Sequence, residues 1–581
     1  MFGRKLVFLF TPVIWLSLTL GGCGGSSHGN SGGSQSFTLS TAPGSVTIAQ
    51  GGQGTSTVSI TPLNGFSGSV NLSASGLPGG VTATFSPNPA TTTSTITLTA
   101  SATATTGTST ATITGTSGSL TSNTSISLTV TPLQAGQIKH VVIIFQENRT
   151  VDNLFHDPVL MSRGADIATT GLTSTGTVNL TPVSLVVPYD LGHSHTAFLQ
   201  ACDYNPTGNS CAMDGADRIN CTPNCPPDAA YQYVDNSTGT IQPYFTMAET
   251  YTFSDRMFQT NQGPSFPAHQ YIISGTSRIA ETNTTTVADN VGKDQRPDGT
   301  SWAGCLAPPG SYANGIDISN PNPESPLITI NYPLCFEHPT LTDLLDTAGL
   351  SWKYYAPMPG SIWTAPDAIQ HMCVPTSKDG KFDDTVCSGT DWTAPNPNVV
   401  MEGSHSQIAL DIAANQLAAV SWVIPTGPNS DHAGNSTDNG PSWVASIVNA
   451  VGGSPYWADT AIIVVWDDWG GWYDHVPPPL IRDSYEYGLR VPMIVISPYA
   501  KPAYISHQLN DFGSILKFIE ETFSLNQIDP TVGYADSYAL GDLSDCFNFS
   551  QTPLTFTPIA APLDANHFKY DKTPPGPPDD D

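Results

Sequence analysis

The pattern of apolar and polar positions changes character along the chain. Between about Ser36 and Thr131, short runs alternate: Thr55–Ile60, Ser69–Ala74, Val81–Phe85, Thr95–Ala100, Ser109–Thr114 and Ser125–Val130, each bounded by Gly, Pro or Asn. A period of two puts successive side chains on opposite faces, so each run predicts a half-buried strand. Several such strands at this spacing predict a β-sandwich. Further on, the apolar runs are unbroken: His140-Val-Val-Ile-Ile-Phe145 and Thr460-Ala-Ile-Ile-Val-Val-Trp466. Strands buried on both faces look like this, so these runs predict parallel strands in an α/β sheet. Ser421-Trp-Val-Ile-Pro425 predicts another strand.

Arg4 and Lys5 precede a mostly apolar stretch, Leu6 to Leu20, and then Leu20-Gly-Gly-Cys23. This is the layout of an export signal, and the apolar run is shorter than the ~20 residues a span needs. Leu-Gly-Gly-Cys resembles a bacterial lipobox, in which the Cys becomes the lipidated first residue. Residues 1–22 are therefore expected to be removed and the chain anchored to a membrane through Cys23, at the cell surface or in the periplasm; simple secretion is the alternative. The Gly/Ser-rich residues 23–35 form a tether, and the Pro-rich end, Thr573 to Asp581, predicts disorder.

Charge sharpens the division. The 581 residues hold 19 Lys+Arg and 48 Asp+Glu, a net charge of -29, yet only 12% are charged, about half the usual share of ~25%. Positions 6 to 138 contain no Asp, Glu, Lys or Arg. All the acid thus lies in the remainder, which makes nucleic acid an unsuitable partner. Nine cysteines follow Cys23, all in this acidic region. Pairing of neighbours gives 202–211, 221–225, 305–335 and 373–387 with Cys546 left over, as suits an oxidising compartment; a zinc site at Cys202, Cys211, Cys221 and Cys225 is the competing reading.

Both unbroken strands end in acid: Gln146-Glu147-Asn148 and Asp467-Asp468. Ligands of open α/β sheets sit beyond the carboxyl ends of the strands, so Glu147, Asn148, Asp467 and Asp468 are expected at one rim. Carboxylates that close repel unless a cation neutralises them, and oxygen ligands suit a hard divalent ion. Gly263-Pro264-Ser265-Phe266-Pro267 precedes a helix, Gln270 onward. Ser265 is then either an N-cap, a nucleophile beside a bound anion, or both. Histidines in polar loops complete the set: Asp190-Leu-Gly-His193, Asp367-Ala-Ile-Gln-His371 and Asn429-Ser-Asp-His432. Imidazoles can contact phosphoryl oxygens and protonate a leaving group.

Glu147-Asn148-Arg149-Thr150-Val151-Asp152 resembles the Glu-Asn-Arg-Ser-Phe-Asp signature of the bacterial phosphoesterase family, which contains acid phosphatases and phospholipases C of the non-haemolytic type. Gly263 to Pro267 is similar to its nucleophile motif, and Asn429 to His432 and Asp467-Asp468-Trp-Gly-Gly-Trp-Tyr-Asp474-His475 to its two later motifs. The resemblance implies an α/β/α sandwich of the alkaline-phosphatase type over about 138–545, followed by a C-terminal extension, 546–581. It further implies one divalent metal ion held by Glu147, Asn148, Asp467 and Asp468, with Ser265 as the nucleophile that becomes phosphorylated. His193, His371 and His432 would contact the phosphoryl group or leaving oxygen of a phosphate ester or phospholipid, leaving Asp474 and His475 a supporting role. Ala268 departs from the Asn frequent in the family, and Asp468 from the Glu of many phospholipase-like members. Gly65-Phe-Ser-Gly, Leu77-Pro-Gly-Gly and Phe85-Ser-Pro-Asn-Pro resemble Ig-like modules of bacterial surface proteins, so residues 36–132 are expected to form an Ig-like stalk. The competing expectation is a surface adhesion lipoprotein whose hydrolase domain is inactive.

Overall fold

The structure is a computed structural model. It describes residues 34–50, 53–101, 104–131, 137–205, 207–293, 302–320, 328–332, 334–377, 386–393, 395–402, 406–571 and 573. The expected export signal, Cys23, the expected tether through Gly33 and the tail from Pro574 lie outside the described residues.

The chain divides into two compact units. The first holds eight strands: β1 Ser36–Ala42, β2 Ser45–Ala49, β3 Gln53–Leu63, β4 Asn71–Ser75, β5 Val81–Ser86, β6 Thr93–Ala100, β7 Gly107–Ser117 and β8 Leu120–Thr131. They form two four-stranded sheets, β1-β3-β6-β5 and β2-β8-β7-β4. Alternation does the work expected of it: in β6 Ser94, Ile96, Leu98 and Ala100 are buried while the residues between them face outward. The inner faces touch, because a Cβ on Gly115 of β7 would meet Leu39 and Phe37 of β1 at 3.0 and 3.2 Å.

The second unit is mixed α/β around one large sheet. Its strands are β9 His140–Gln146, β10 Thr252–Phe258, β11 Trp352–Ala356, β12 Val399–Met401, β13 Val420–Val423, β14 Thr460–Trp466, β15 Arg490–Ile496, β16 Tyr504–Ser506 and β17 Asn510–Asp511. Their order is β12-β11-β13-β9-β14-β15-β10-β16, with β17 also on β10. All run in one direction except β15, which is antiparallel to both neighbours. β9 and β14 are paired in register from Thr460 opposite His140 to Trp466 opposite Gln146, and every residue of β14 is buried. That explains the unbroken apolar runs: neither face sees water.

Helices cover both faces. Phe145 of β9 meets His269 of α2 (Ser265–Ser274) and Phe512 of α4 (Phe512–Phe523) edge-on at 4.8 and 5.3 Å. The opposite face carries Trp466, which packs on Tyr244 of α1 (Gln242–Thr250), and the start of α3 (Gly440–Gly452) lies against Gln146. Asp511 caps α4, accepting from the backbone N–H of Gly513 and Ser514.

Cysteines pair as sequence neighbours, 202–211, 221–225, 305–335 and 373–387, and Cys546 is a buried free thiol. With all four of Cys202, Cys211, Cys221 and Cys225 oxidised, no thiolate is left there for zinc. No described helix is long and apolar enough to cross a membrane.

Candidate active site

Because β9, β10, β13 and β14 are parallel, their carboxyl ends open onto the same edge of the sheet. Pairing of Trp466 with Gln146 brings the next residues of each strand together. The Asp467 N–H donates to the Gln146 carbonyl at 2.8 Å, and the Asn148 N–H donates to Asp467 Oδ1 at 2.9 Å. Asn148 takes a left-handed backbone, φ 57°, which an Asn tolerates better than most residues. Behind it Gly470, φ +60°, leaves so little room that a Cβ would sit 2.3 Å from the Asn148 carbonyl oxygen; on Gly471 a Cβ would sit 2.4 Å from Leu191 Cβ. The glycine pair therefore lets the loop after β14 rest on both the Asn148 turn and the His193 loop.

Ser265 is the first residue of α2. Pro264 occupies the cap position and no side chain caps the helix, so the Ser265 hydroxyl is not spent as a cap. Its Oγ donates toward Asp468 Oδ2 at 3.3 Å and lies 3.4 Å from Asn148 Oδ1. Asp468 is wholly buried; burial first, and Asp467 second, push its carboxyl well above the ordinary range. Asp467 and Asp468 form no ion pair with Lys or Arg among the described residues; the nearest basic groups are imidazoles, His269 at 3.8 Å from Asp467 and His193 at 3.9 Å from Asp468.

His193 and His432 flank Asn148, with ring centroids 5.7 Å apart. His193 Nδ1 lies 2.7 Å from the Leu191 carbonyl and so carries a proton, leaving Nε2 to face the Asn148 amide at 2.9 Å. His432 Nδ1 likewise faces the Ala433 carbonyl. Two orientations of the Asn148 amide are open. With nitrogen inward, it donates to Glu147 Oε2 and Asp467 Oδ1 at 3.3 and 3.0 Å, and its oxygen needs both imidazoles protonated. With oxygen inward, the amide donates outward to two neutral imidazoles, and its oxygen joins the carboxylate oxygens. Only a cation reconciles that second arrangement. The donor set therefore fits a divalent ion.

Asp431 holds the His432 loop in place. It accepts from Tyr244 Oη at 2.7 Å and Trp466 Nε1 at 3.1 Å, and burial lifts its carboxyl to about 6. Buried Arg149 donates to the Asp431 carbonyl, to Asn153 and to the Leu185 carbonyl, so it braces the loops rather than offering a charge. Asp474 and His475 belong to a separate network: Arg490 bridges Asp474 and Asp152, and His475 Nδ1 lies 2.7 Å from Asp152.

His371 does not join the cluster. Its ring nitrogens face Glu337 at 2.6 Å and Asp343 at 3.4 Å, and the cluster residues are not among its partners. His269 was not among the residues expected to hold the metal or act on the phosphoryl group. Its Nε2 lies 3.1 Å from Glu147 Oε1, within the inner group Glu147, His269 and Asp467, all buried. Burial depresses its imidazole to about 4, so it is neutral at pH 7. The signal was present: His269 follows Ser265 by four residues, hence on the same helix face.

A profile of the phosphoesterase family matches residues 138–526. The chain belongs to the phosphoesterase family. Phospholipase C A of Mycobacterium tuberculosis is 24% identical over 475 residues, covering 74% of this chain and 81% of that protein. A non-hemolytic phospholipase C of Pseudomonas aeruginosa is 24% identical over 471 residues, 71% of this chain and 57% of that one. A solved structure of an alkaline phosphatase superfamily protein from Vibrio parahaemolyticus covers 71% of this chain and 70% of its own at 10% identity, with a TM-score of 0.31, too low to argue from. Membership in the family, with these relatives, makes the chain a hydrolase of phosphoester bonds.

Proposed function

We propose that the chain is an exported, metal-dependent phosphoric-ester hydrolase that works through Ser265 and a phosphoserine intermediate. The observation that carries this reading is the Ser265 hydroxyl, freed from capping and set 3.3 Å from Asp468 and 3.4 Å from Asn148. A serine at its free pKa is a weak nucleophile. Here its proton faces Asp468 Oδ2, the natural acceptor as Oγ forms a bond to phosphorus and the ester P–O bond breaks. His193 and His432 flank Asn148 and are assigned to the phosphoryl oxygens; His432, half-buried, would protonate the departing oxygen after taking up a proton. Attack of water on the phosphoserine then returns phosphate and the free serine. A divalent ion held by Glu147, Asn148, Asp467 and Asp468 would neutralise charge gathered on the phosphoryl oxygens. His371 is left out of this mechanism.

Substrates of the reading are phosphate esters: a phosphomonoester, or a phospholipid cut on the diacylglycerol side of its phosphate, as the relatives' names suggest. Residues 1–22 are proposed as the signal, Cys23 as the lipid-bearing residue, and residues 36–132 as an Ig-like stalk. The helix-covered sheet of 138–545 is proposed as the α/β/α hydrolase domain.

Purified protein assayed on p-nitrophenyl phosphate and on phosphatidylcholine, with and without chelator, tests the function. Turnover of either substrate, its loss with chelator, and its loss in Ser265→Ala are the expected results. A Ser265→Ala protein as fast as wild type would remove the nucleophile assignment. Membrane fractionation of Cys23→Ala tests the anchor; unchanged retention would remove it.

A further inference from the structure

We propose that His269 is a direct ligand of the metal, giving the centre one imidazole nitrogen among its oxygens. The inference rests on the metal-dependent reading above and deepens it. His269 Nε2 is 3.1 Å from Glu147 Oε1 and 3.8 Å from Asp467 Oδ2. One ligand atom from each of the three lies within 4.8 Å of the others. Ligand atoms held about 2.1 Å from one ion stand roughly 3.0–3.4 Å apart at octahedral or tetrahedral angles, so the closest pair already has the spacing of two ligands on a shared ion.

The ring is built in rather than passing by. All of α2 around it is buried. Phe145 meets the imidazole edge-on at 4.8 Å, and Trp363 stacks nearly parallel to it at 6.5 Å. These contacts aim Nε2 at the two carboxylates while Nδ1, on the other side, has no hydrogen-bond partner among the described residues. Aromatic packing thus orients this ring, in place of the acceptor that usually holds the second nitrogen of a metal-bound histidine. Binding the ion through Nε2 leaves Nδ1 to carry the ring's N–H.

A nitrogen changes what the site prefers. An all-oxygen set suits Mg²⁺, Ca²⁺ or Mn²⁺, whereas an imidazole ligand suits Zn²⁺, Fe²⁺ or Ni²⁺. The same helical turn therefore brings both the nucleophile, Ser265, and a residue that selects the metal.

The test uses the full chain stripped of metal and then loaded with Mn²⁺. Pulsed EPR of the wild type is expected to show nitrogen modulation from a coordinated imidazole. This should vanish in His269→Gln, and persist in His193→Gln. Zn²⁺ affinity should fall about ten-fold or more in His269→Gln, with a smaller change for Ca²⁺. His269→Asn, checked for folding by near-UV circular dichroism, substitutes if the Gln variant fails to fold. One bound Mn²⁺ without nitrogen modulation, or modulation unchanged by the substitution, overturns the inference and leaves the hydrolase reading standing. Wild-type protein that binds no Mn²⁺ and yet hydrolyses phosphate esters overturns both the inference and the metal dependence.

Discussion

Gly470 offers a test of the site that touches none of its chemical groups. In Gly470→Ala the new Cβ would start 2.3 Å from the Asn148 carbonyl oxygen, 2.8 Å from its carbonyl carbon and 2.8 Å from its Cβ. Atoms of this kind do not approach much closer than about 3.2 Å. Relief therefore needs a displacement of nearly an ångström, and the obstacle is backbone, which has no rotamer to change. The left-handed φ of +60° adds about 1–2 kcal/mol for a non-glycine residue, and overpacking about 1–3 kcal/mol more. Both loads fall on the turn that sets Asn148 against Asp467 and Ser265. A misplacement near 1 Å can cost about 100-fold in rate. The expected result is a protein that folds with a lower melting temperature and loses about 100-fold in kcat/KM on p-nitrophenyl phosphate, with weaker metal binding. Thermal unfolding and steady-state kinetics on one preparation measure both. A variant within two-fold of wild-type kcat/KM would refute the claim that this glycine sets the Asn148 turn.

Other expectations follow from the same structure. Burial pulls the His475 imidazole down, but its bond and attraction to Asp152 outweigh this and raise it to about 9, above its ordinary value near 6.5. Its contribution to stability is therefore full below about 6.5 and lost as pH rises through about 9; comparing melting temperatures of wild type and His475→Gln at pH 6 and 9.5 should show the difference shrinking. Cys546 is buried and its thiol is pushed up to about 12, so the native protein should resist iodoacetamide at pH 8 at this position, and unfolding without reductant should expose it; peptide mass mapping reads this out. Replacing Glu337 by Gln removes a partner of His371 and should leave kcat/KM within about two-fold, whereas His193→Ala should cost about 100-fold or more.

Pattern alone went far where burial is uniform. The unbroken runs at His140 and Thr460 became adjacent, fully buried strands, and the acids after them met because parallel strands end on one edge. Five of the six alternating runs likewise fell within strands of two small sheets, while the run from Ser69 to Ala74 overlaps β4 only from Asn71 onward. Cysteine neighbours also paired as expected. What stayed hidden depended on which neighbour a side chain meets. His371 and His269 look alike in sequence, each in a segment with Trp, Pro or Phe nearby. Only the packing of α2 against β9 turns His269 inward, while Glu337 and Asp343 hold His371 aside. Likewise Ser265 could have been a cap until the fold gave it Asp468 to face.

The lone reversed strand has a further consequence. β15 lies between β14, which leads to Asp467 and Asp468, and β10, which leads to Ser265. Neighbouring strands lie about 4.8 Å apart, so β15 holds β14 and β10 two such steps, roughly 10 Å, apart, and the segments after them close that gap to bring Ser265 to 3.3 Å from Asp468. The β15 ladder fixes the alignment of those two strands along the strand axis as well as across it, and the register of β10 on β15 already shifts once, between Ser254 and Met257. A slip of β15 by one residue would move one bank of reacting groups past the other while every side chain of each stayed in place. The spacing of the two halves is thus recorded in a strand that contributes no group to the chemistry, and substitutions along Val491–Ile496 would act as changes of alignment rather than of composition.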